Sequence, residues 1–297
     1  MIARIPLAVR IFACLLIVAA APPASATPAA FDLQAHRGGR GEVTEESLAA
    51  FAHALEVGVS TLELDIVLTR DAQPVVWHDL VIESSKCADT GPVFDGDPRY
   101  PYVGQRVDEL SLAQVRTLDC GLAQPQFPHA RVVSGNVIAT LPEVFELAGH
   151  TSVRYNIETK LETQSSPRRI VEVILAAVRA AGKVDAVDIE SFDARTLALV
   201  RAAEPGIPLA LLWEQEGDPF DAALAAHAAI ISPEYTMVDQ SFVDRAHGLG
   251  LKVIPWTVND ADTMRGQIAD GVDGLITDYP SRLREVMAEL GMLPARR

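Results

Sequence analysis

The stretch Thr61-Leu62-Glu63-Leu64-Asp65-Ile66-Val67-Leu68 alternates its side chains with a period of two. This is the period of a β-strand, so the three leucines and Ile66 share one face while Glu63 and Asp65 point from the other. In a barrel, the outward face of a strand packs under helices and the inward face fills the interior. The stretch therefore predicts a helix-covered strand that aims two carboxylates inward. From this strand alone, a half-exposed strand with a solvated acidic face is the alternative.

Outward from this strand, strand-like and helical segments alternate along most of the 297 residues. Such alternation predicts a parallel α/β fold, and this length without a linker favours a closed TIM-type (β/α)8 barrel. Nine strands are predicted, one more than the eight that a barrel needs. Because the connection 69–74 is too short for a crossover helix, segments 61–68 and 75–78 are expected to form a hairpin with His78 roughly opposite Glu63. The predicted strands are 31–35, 61–68, 75–78, 153–159, 186–190, 209–213, 229–232, 252–257 and 274–277.

The first 26 residues have the pattern of a secretory signal peptide. Arg4 and Arg10 precede the apolar run 11–21, and Ala24-Ser25-Ala26 offers a small-residue cleavage site. The run is shorter than the roughly 20 residues that span a membrane. We therefore expect a mature domain of residues 27–297, exported to the periplasm or secreted, with no stable membrane span after signal removal. An uncleaved anchor is the alternative.

Turn-forming residues dominate the segment from about 83 to 135, with one predicted helix near 111–118. We interpret the segment as an insertion over one end of the fold. It contains Cys87 and Cys120, the two cysteines that remain once Cys14 leaves with the signal. An even pair in an exported chain suggests a disulfide, and two unpaired, partly buried thiols are the alternative.

The formal net charge is -15 at pH 7. A strongly acidic protein is not expected to bind nucleic acid or an anionic membrane through its overall field. If the protein acts on a phosphate compound, it needs a local positive centre.

A second strand repeats the acidic pattern of the first. In segment 153–160, Asn156, Glu158 and Lys160 share one face, so two strands would aim acids into one interior. Together with Glu63 and Asp65, Glu158 completes an all-oxygen set that suits Ca²⁺, Mg²⁺ or Mn²⁺ rather than zinc. Such a cation, with Arg37 and Lys160, would supply the local positive centre for an anionic substrate.

Of the seven histidines, only His36 and His78 end an apolar strand and are followed at once by a charged residue. Cleavage of a phosphodiester needs one group that removes a proton from the nucleophile and another that protonates the leaving oxygen. Two imidazoles can share these tasks. Either histidine alone would more often be structural, but together, beside three acids, they indicate catalysis.

The chain resembles the glycerophosphodiester phosphodiesterase family. Any one matching block is weak evidence, but six in the order of the family are strong. The blocks are His36-Arg37-Gly38, Glu63-Leu64-Asp65, His78-Asp79, Asn156-Ile157-Glu158-Thr159-Lys160, Pro255-Trp256-Thr257-Val258-Asn259 and Asp273-Gly274-Leu275-Ile276-Thr277-Asp278-Tyr279-Pro280.

The resemblance implies a TIM-type barrel with a small insertion after the His-Asp strand. It also implies hydrolysis of a small glycerophosphodiester to sn-glycerol 3-phosphate and an alcohol, with attack by a neighbouring substrate hydroxyl or by water. The matching positions imply that His36 and His78 are the acid/base pair. They imply that the ligands of one divalent cation, Ca²⁺ or Mg²⁺ with Mn²⁺ as a further option, are Glu63, Asp65 and Glu158. Arg37 and Lys160 would contact the phosphate, and Trp256 would form the pocket wall near the glycerol.

One block departs from the family pattern. The family commonly has Pro-Glu-Asn-Thr after the first loop, and this chain has Thr44-Glu45-Glu46-Ser47. Glu46 replaces the asparagine and is expected to add a negative charge near the site, with Arg40 as a candidate basic partner. The change bears on substrate range more than on the reaction.

Two other functions fit parts of this pattern. A phospholipase D-like or lysophospholipase D-like barrel would place acids and histidines similarly, and an apolar patch at the pocket mouth would favour it. A non-catalytic exported binding protein would be expected to have lost a histidine or an acid, and all five are present.

Overall fold

The computed structural model describes residues 31–149, 151–162 and 166–293, together with Met1. Apart from Met1, the predicted signal peptide, residues 1–26, lies outside the described residues. None of the described helices is long and apolar enough to cross a membrane.

The described chain alternates strands and helices. The strands are β1 (Asp32–Ala35), β2 (Thr61–Leu68), β3 (Pro74–Val76), β4 (Ala88–Asp89), β5 (Leu118–Asp119), β6 (Arg154–Thr159), β7 (Val187–Ser191), β8 (Leu209–Trp213), β9 (Ile230–Pro233), β10 (Lys252–Val253) and β11 (Gly274–Thr277). The α-helices are α1 (Leu48–Val57), α2 (Leu112–Val115), α3 (Leu141–Ala148), α4 (Arg168–Ala180), α5 (Ala194–Ala203), α6 (Phe220–Ala225), α7 (Gln240–Gly248), α8 (Ala261–Asp270) and α9 (Pro280–Glu289).

Eight parallel strands form a nearly closed barrel in the order β10-β9-β8-β7-β6-β2-β1-β11. At the seam between the two ends, the Asp273 amide donates to the Val253 carbonyl over 2.9 Å. The TIM-type barrel predicted from the sequence is therefore confirmed. The apolar face of β2 packs outward as expected, because Leu62, Leu64 and Ile66 are fully buried in the main apolar cluster with helix side chains. Burial of each such side chain stabilises the fold by about 1.5 to 3 kcal/mol.

The surplus strand belongs to the expected hairpin. β3 pairs antiparallel with β2, with Ile66 opposite Val76. The pairing ends there, apart from one bond in which the Trp77 amide donates to the Asp65 carbonyl over 3.0 Å. Continued by two residues, this register brings His78 level with Leu64, one residue away from the expected Glu63. The hairpin is confirmed, and its register differs by one residue from the prediction.

The segment between β3 and α3 is held by its own small apolar cluster. It includes Ile82 and Tyr102 from the segment and Val75 and Trp77 from the hairpin. Strands β4 and β5 pair antiparallel nearby. Cys87 and Cys120 form a disulfide with an S–S distance of 2.09 Å, which settles the pairing in favour of the bond over free thiols. The segment is thus packed directly against the hairpin that leads to His78.

Candidate active site

The carboxyl ends of the barrel strands surround a cavity of about 270 Å³. In (β/α)8 barrels this end carries the functional loops. Seven of the eight predicted site residues line this cavity, and Asp65, the eighth, contacts two of them, Arg37 and Lys160. The lining predicted residues are His36, Arg37, Glu63, His78, Glu158, Lys160 and Trp256.

A larger cavity, of about 1060 Å³, opens among residues at the amino-terminal side of the strands, including Asp32, Arg154 and Lys252. It contains none of the predicted site residues. Active sites of (β/α)8 barrels lie at the carboxyl ends of the strands, so the smaller cavity is the candidate active site.

A tight turn after β1 aims the first site residues. His36–Gly38 forms a single 3-10 turn in which Arg37 takes a left-handed conformation with φ 50°. Gly38 allows the turn to pack on α1, because an added Cβ would meet the Ala50 Cβ at 2.9 Å. The Arg37 amide donates to Glu63 Oε2 over 2.7 Å, so the turn is fastened to β2 at the site itself.

Each of the two histidines is bonded through Nδ1 to an aspartate. The distance is 2.6 Å from His36 to Asp278 Oδ1 and 2.8 Å from His78 to Asp79 Oδ1. Since an ionised carboxylate can only accept a hydrogen bond, Nδ1 carries a proton in both pairs, and Nε2 is the nitrogen available for proton transfer. His36 Nε2 lies 3.9 Å from Glu63 Oε2.

Burial favours neutral imidazoles, and the partners of the aspartates favour ionised carboxylates. Burial lowers the pKa of His36 from 6.5 to about 4, against the opposing attraction of Asp278. Burial likewise lowers the pKa of His78. Burial would raise the pKa of Asp278, but the hydrogen bond from His36 and the charge of Arg40 outweigh it and hold this pKa well below its usual range. Neutral His36 therefore presents a lone pair on Nε2.

Carboxylates from three neighbouring strands meet at the cavity. The register of β2, β6 and β7 places Asp65, Glu158 and Glu190 side by side. One ligand atom from each of Glu63, Glu158 and Glu190 lies within 4.8 Å of the others. Glu190 is 1% exposed, and its Oε2 has no hydrogen-bond donor among the described residues.

Two cations bind Asp65. Arg37 Nε lies 3.1 Å from Oδ2 and Lys160 Nζ lies 3.2 Å from Oδ1, although neither contact has hydrogen-bond geometry. Lys160 also lies 2.5 Å from Glu158. Burial opposes ionisation of Asp65, but the attraction of Lys160 and Arg37 dominates and lowers its pKa well below 3.8.

The remaining acids of the cluster repel one another. Burial, followed by the charge of Asp65, raises the pKa of Glu63 well above 4.5. Burial and the charge of Glu158 do the same for Glu190. Burial raises the pKa of Glu158 to about 7, with Lys160 opposing. A cation within the cluster would relieve this repulsion and satisfy the unpaired oxygen of Glu190, so the residues fit a hard divalent ion with oxygen ligands.

Of the three predicted ligands, the structure brings Glu63 and Glu158 together and places Asp65 between Arg37 and Lys160. Glu190 joins the cluster without having been predicted. Its signal was in the sequence, because Val187 and Ile189 alternate with Asp188 and Glu190 as in the other two acidic strands. The other unpredicted groups are Asp79 and Asp278, which bind the two imidazoles.

Glu46, the departure from the family pattern, is 3% exposed. Its Oε2 accepts a 3.0 Å hydrogen bond from the His78 amide. Burial and the nearby charge of Asp65 raise its pKa well above 4.5, which opposes the extra negative charge expected from the sequence. Arg40, expected as its partner, instead binds Asp278 Oδ1 at 2.7 Å and lies 3.9 Å from Glu45.

Trp256 forms an apolar wall of the cavity. Its Nε1 donates to the Ser232 carbonyl over 2.8 Å, and its ring meets Phe192 edge to face at 5.5 Å between centroids. Phe192 is 44% exposed, so this aromatic pair reaches the mouth of the cavity.

The barrel, with histidines and carboxylates gathered around a cavity at the carboxyl ends of its strands, defines the class of protein, a (β/α)8-barrel hydrolase. The sequence model of the glycerophosphoryl diester phosphodiesterase family matches residues 36–282. The chain belongs to this family and shares its reaction, the hydrolysis of glycerophosphodiesters.

Individual relatives agree along nearly their whole length. A glycerophosphodiester phosphodiesterase from Caldanaerobacter subterraneus subsp. tengcongensis is 32% identical over 259 residues, which cover 86% of this chain and 98% of that protein. A crystal structure from Silicibacter pomeroyi, assigned to the same activity, superposes with a TM-score of 0.81 at 28% identity, covering 89% of this chain and 95% of the other. A phosphodiesterase from Oleispira antarctica, solved with its product sn-glycerol-3-phosphate, has a TM-score of 0.73 at 21% identity, with coverage of 86% and 96%.

Proposed function

We propose that the protein is an exported, metal-dependent phosphodiesterase that converts small glycerophosphodiesters into sn-glycerol 3-phosphate and an alcohol. The observation that supports this most directly is that His36 and His78, each fixed through Nδ1 by an aspartate, line the same cavity as the carboxylate cluster. The Oleispira antarctica phosphodiesterase, whose fold is similar, holds sn-glycerol-3-phosphate, which supports a product of this size.

The phosphate would lie between the cations and the carboxylate cluster. Arg37 and Lys160 line the cavity and can turn part of their hydrogen-bonding capacity from Asp65 to phosphate oxygens. Glu63, Asp65 and Glu158 are the proposed ligands of the divalent cation, and Glu190 is near enough to join them. When bound, the cation would neutralise charge that develops on the phosphate oxygens.

The two imidazoles would divide the proton transfers. Neutral His36 is suited to accept the proton of the nucleophile, either a neighbouring substrate hydroxyl or water, as the new P–O bond forms. For His78 to give a proton to the alcohol oxygen as its P–O bond breaks, it would carry protons on both nitrogens, with Nδ1 donating to Asp79 and Nε2 to the alcohol oxygen. The hydrogen bond to Asp79 favours this charged form, and the 31% exposure of the His78 side chain, against 12% for His36, gives it access to a proton from solvent. Asp278 and Asp79 would hold Nδ1 of the two rings, so that Nε2 is the atom that accepts the proton in His36 and gives it in His78.

Export is supported by two features. Residues 1–26 have the sequence pattern of a signal peptide. The Cys87–Cys120 disulfide is a kind of bond that persists in oxidising compartments such as the periplasm. Fractionation of cells that express the full chain, with N-terminal sequencing of the product, tests both the location and the cleavage after Ala26. Recovery of an uncleaved chain in the cytosol would refute export.

A substrate panel tests the activity. Release of glycerol 3-phosphate from glycerophosphodiesters with different alcohols is followed after metal removal and after addition of Ca²⁺, Mg²⁺ or Mn²⁺ in turn. Lysophosphatidylcholine in the same panel measures lysophospholipase D activity. We expect turnover of the deacylated diesters that depends on the metal. Equal activity with and without chelator would refute the metal requirement, and faster turnover of the lysolipid would refute the substrate class.

Substitution of either histidine tests the proposed acid–base pair. We expect His36→Ala or His78→Ala to lower turnover about 10²- to 10⁴-fold, the usual contribution of a positioned acid or base. His247→Ala is the matched control, because His247 forms a similar 2.9 Å pair with Asp273 but is 42% exposed and lies outside the cavity. Near-normal turnover of a folded His78→Ala protein would remove that residue from the mechanism.

A further inference from the structure

Lys86, in the disulfide-bonded segment, lies between two carboxylates of the site region. Its Nζ is 2.6 Å from Asp79 Oδ2 and 2.5 Å from Glu45 Oε1. Its side chain is only 12% exposed, so these contacts are little screened by solvent. None of the predictions made from the sequence gave this residue a role.

Both carboxylates lead directly to predicted site residues. The other oxygen of Asp79 binds His78 Nδ1 at 2.8 Å. The other oxygen of Glu45 lies 3.3 Å from Arg37 NH1. Lys86 therefore occupies the junction of two chains of contacts, one ending at a proposed acid–base residue and the other at a proposed phosphate contact.

The main chain holds Lys86 firmly in this place. Its amide donates to the Glu83 carbonyl over 3.0 Å, and its carbonyl accepts from the Leu122 amide over 3.2 Å. The next residue, Cys87, is 2% exposed and bonded to Cys120. Nζ also lies 5.3 Å from the centre of the Trp77 ring, which adds a cation–π contact. The disulfide-bonded segment thus delivers the ammonium group to the site.

Asp79 needs such a partner to orient His78. It follows His78 in the chain and its side chain is 24% exposed, so without a second anchor it could turn toward solvent. Contact with Lys86 at Oδ2 leaves Oδ1 facing the imidazole. The hydrogen bonds from His78 and Lys86 outweigh burial and keep the pKa of Asp79 well below 3.8, which preserves the acceptor that orients the His78 ring through Nδ1.

We propose that Lys86 is a positioning residue for His78, acting through Asp79, and that the disulfide-bonded segment places it there. This inference rests on the proposed role of His78 in catalysis. A purely structural role for Lys86, attaching the segment to the barrel, is the competing explanation.

A double-mutant cycle separates the two explanations. We expect Lys86→Met to lower kcat about 10- to 100-fold, the usual cost of removing a partner that orients an imidazole. KM should change less than about threefold, since Arg37 retains its contact with Asp65. In an Asp79→Asn background, Lys86→Met should have little further effect on kcat, and Lys86→Arg should recover part of the loss in the wild-type background. Should Lys86→Met fail to fold, Lys86→Gln takes its place in the cycle.

Arg99→Met is the matched control, because Arg99 lies in the same segment but forms an exposed pair with Glu109 and is absent from the cavity. It should leave kcat unchanged.

Turnover by Lys86→Met within twofold of wild type, or losses that simply add in the double variant, would overturn the inference. If wild type hydrolyses the diester and His78→Ala is impaired, such a result leaves the proposed function standing. Absence of activity in wild type would instead refute the proposed function itself.

Discussion

Asp278 and His36 are separated by 242 residues and are joined by a 2.6 Å contact between Oδ1 and Nδ1. They follow β11 and β1, which pair in parallel with Ala35 opposite Thr277. The last barrel strand therefore orients the imidazole that follows the first. Arg40 and Asn259 hold the same carboxylate at 2.7 Å each, so its position is fixed from three sides.

We predict that Asp278→Asn lowers kcat about 10²-fold or more while the protein still folds. An asparagine amide can donate to Nδ1, which would move the ring proton to Nε2 and block the base. Steady-state kinetics with a glycerophosphodiester measure the effect. Asp273→Asn is the control, because Asp273 also pairs with a histidine, His247, outside the cavity. Equal kcat values for the two variants would contradict an orienting role for Asp278.

Much of this site could be predicted because its residues repeat one local pattern. The period-two acids of β2 and β6 identified Glu63, Asp65 and Glu158, and strand ends identified His36 and His78. Glu190 has the same pattern on β7, but its strand also carries Asp188 on that alternation, and only the packed barrel shows that Glu190 meets Glu63 and Glu158. Register and loop contacts depend on three-dimensional packing, so neither the offset of His78 by one residue nor the approach of Lys86 could be derived from spacing.

The metal prediction concerns Glu190. We expect Glu190→Gln to weaken divalent-cation affinity about 10- to 100-fold, because it removes a carboxylate that could ionise and bind the cation within the cluster. Calorimetric titration of metal-free protein with Ca²⁺, Mg²⁺ and Mn²⁺ measures this without reference to turnover. Asp188→Asn is the matched control on the same strand, since Asp188 pairs with Arg154 and lies outside the cavity. Unchanged affinity in Glu190→Gln would leave Glu63, Asp65 and Glu158 as the complete carboxylate set.

The pH prediction concerns Glu46, whose pKa is raised in the folded protein. Above the unfolded value of about 4.5, the unfolded chain releases a proton that the folded protein retains, so this group makes the fold less stable as pH rises toward the folded pKa. Glu46→Gln cannot ionise and escapes this loss. We expect its stability relative to wild type to increase from pH 4.5 to pH 8, by about 1.4 kcal/mol for each unit of pKa shift.

Urea unfolding at the two pH values measures this difference. Glu45→Gln is an informative comparison, because the pKa of Glu45 is lowered: burial would raise it, but Arg37 and Lys86 outweigh burial. Its ionised form contributes stability that is present above the unfolded value of about 4.5 and is lost as pH falls toward the lower folded value, so its replacement should destabilise the protein more at pH 8 than at about pH 3, where the same unfolding measurement is repeated. The same sign for both variants would contradict a raised pKa for Glu46 in the folded protein.

The final prediction concerns the Cys87–Cys120 disulfide, which spans 33 residues. Removing the bond enlarges the conformational entropy of the unfolded chain, so the Cys87→Ala/Cys120→Ala variant should lose about 3 to 4 kcal/mol of unfolding free energy. Urea midpoints measure the loss, and reduced wild type is the matched comparison. Because both cysteines are buried, with 2% and 4% exposure, the bond should react with reductant slowly unless the protein unfolds. Equal stability of the oxidised protein and the variant would show that the bond does not stabilise the fold.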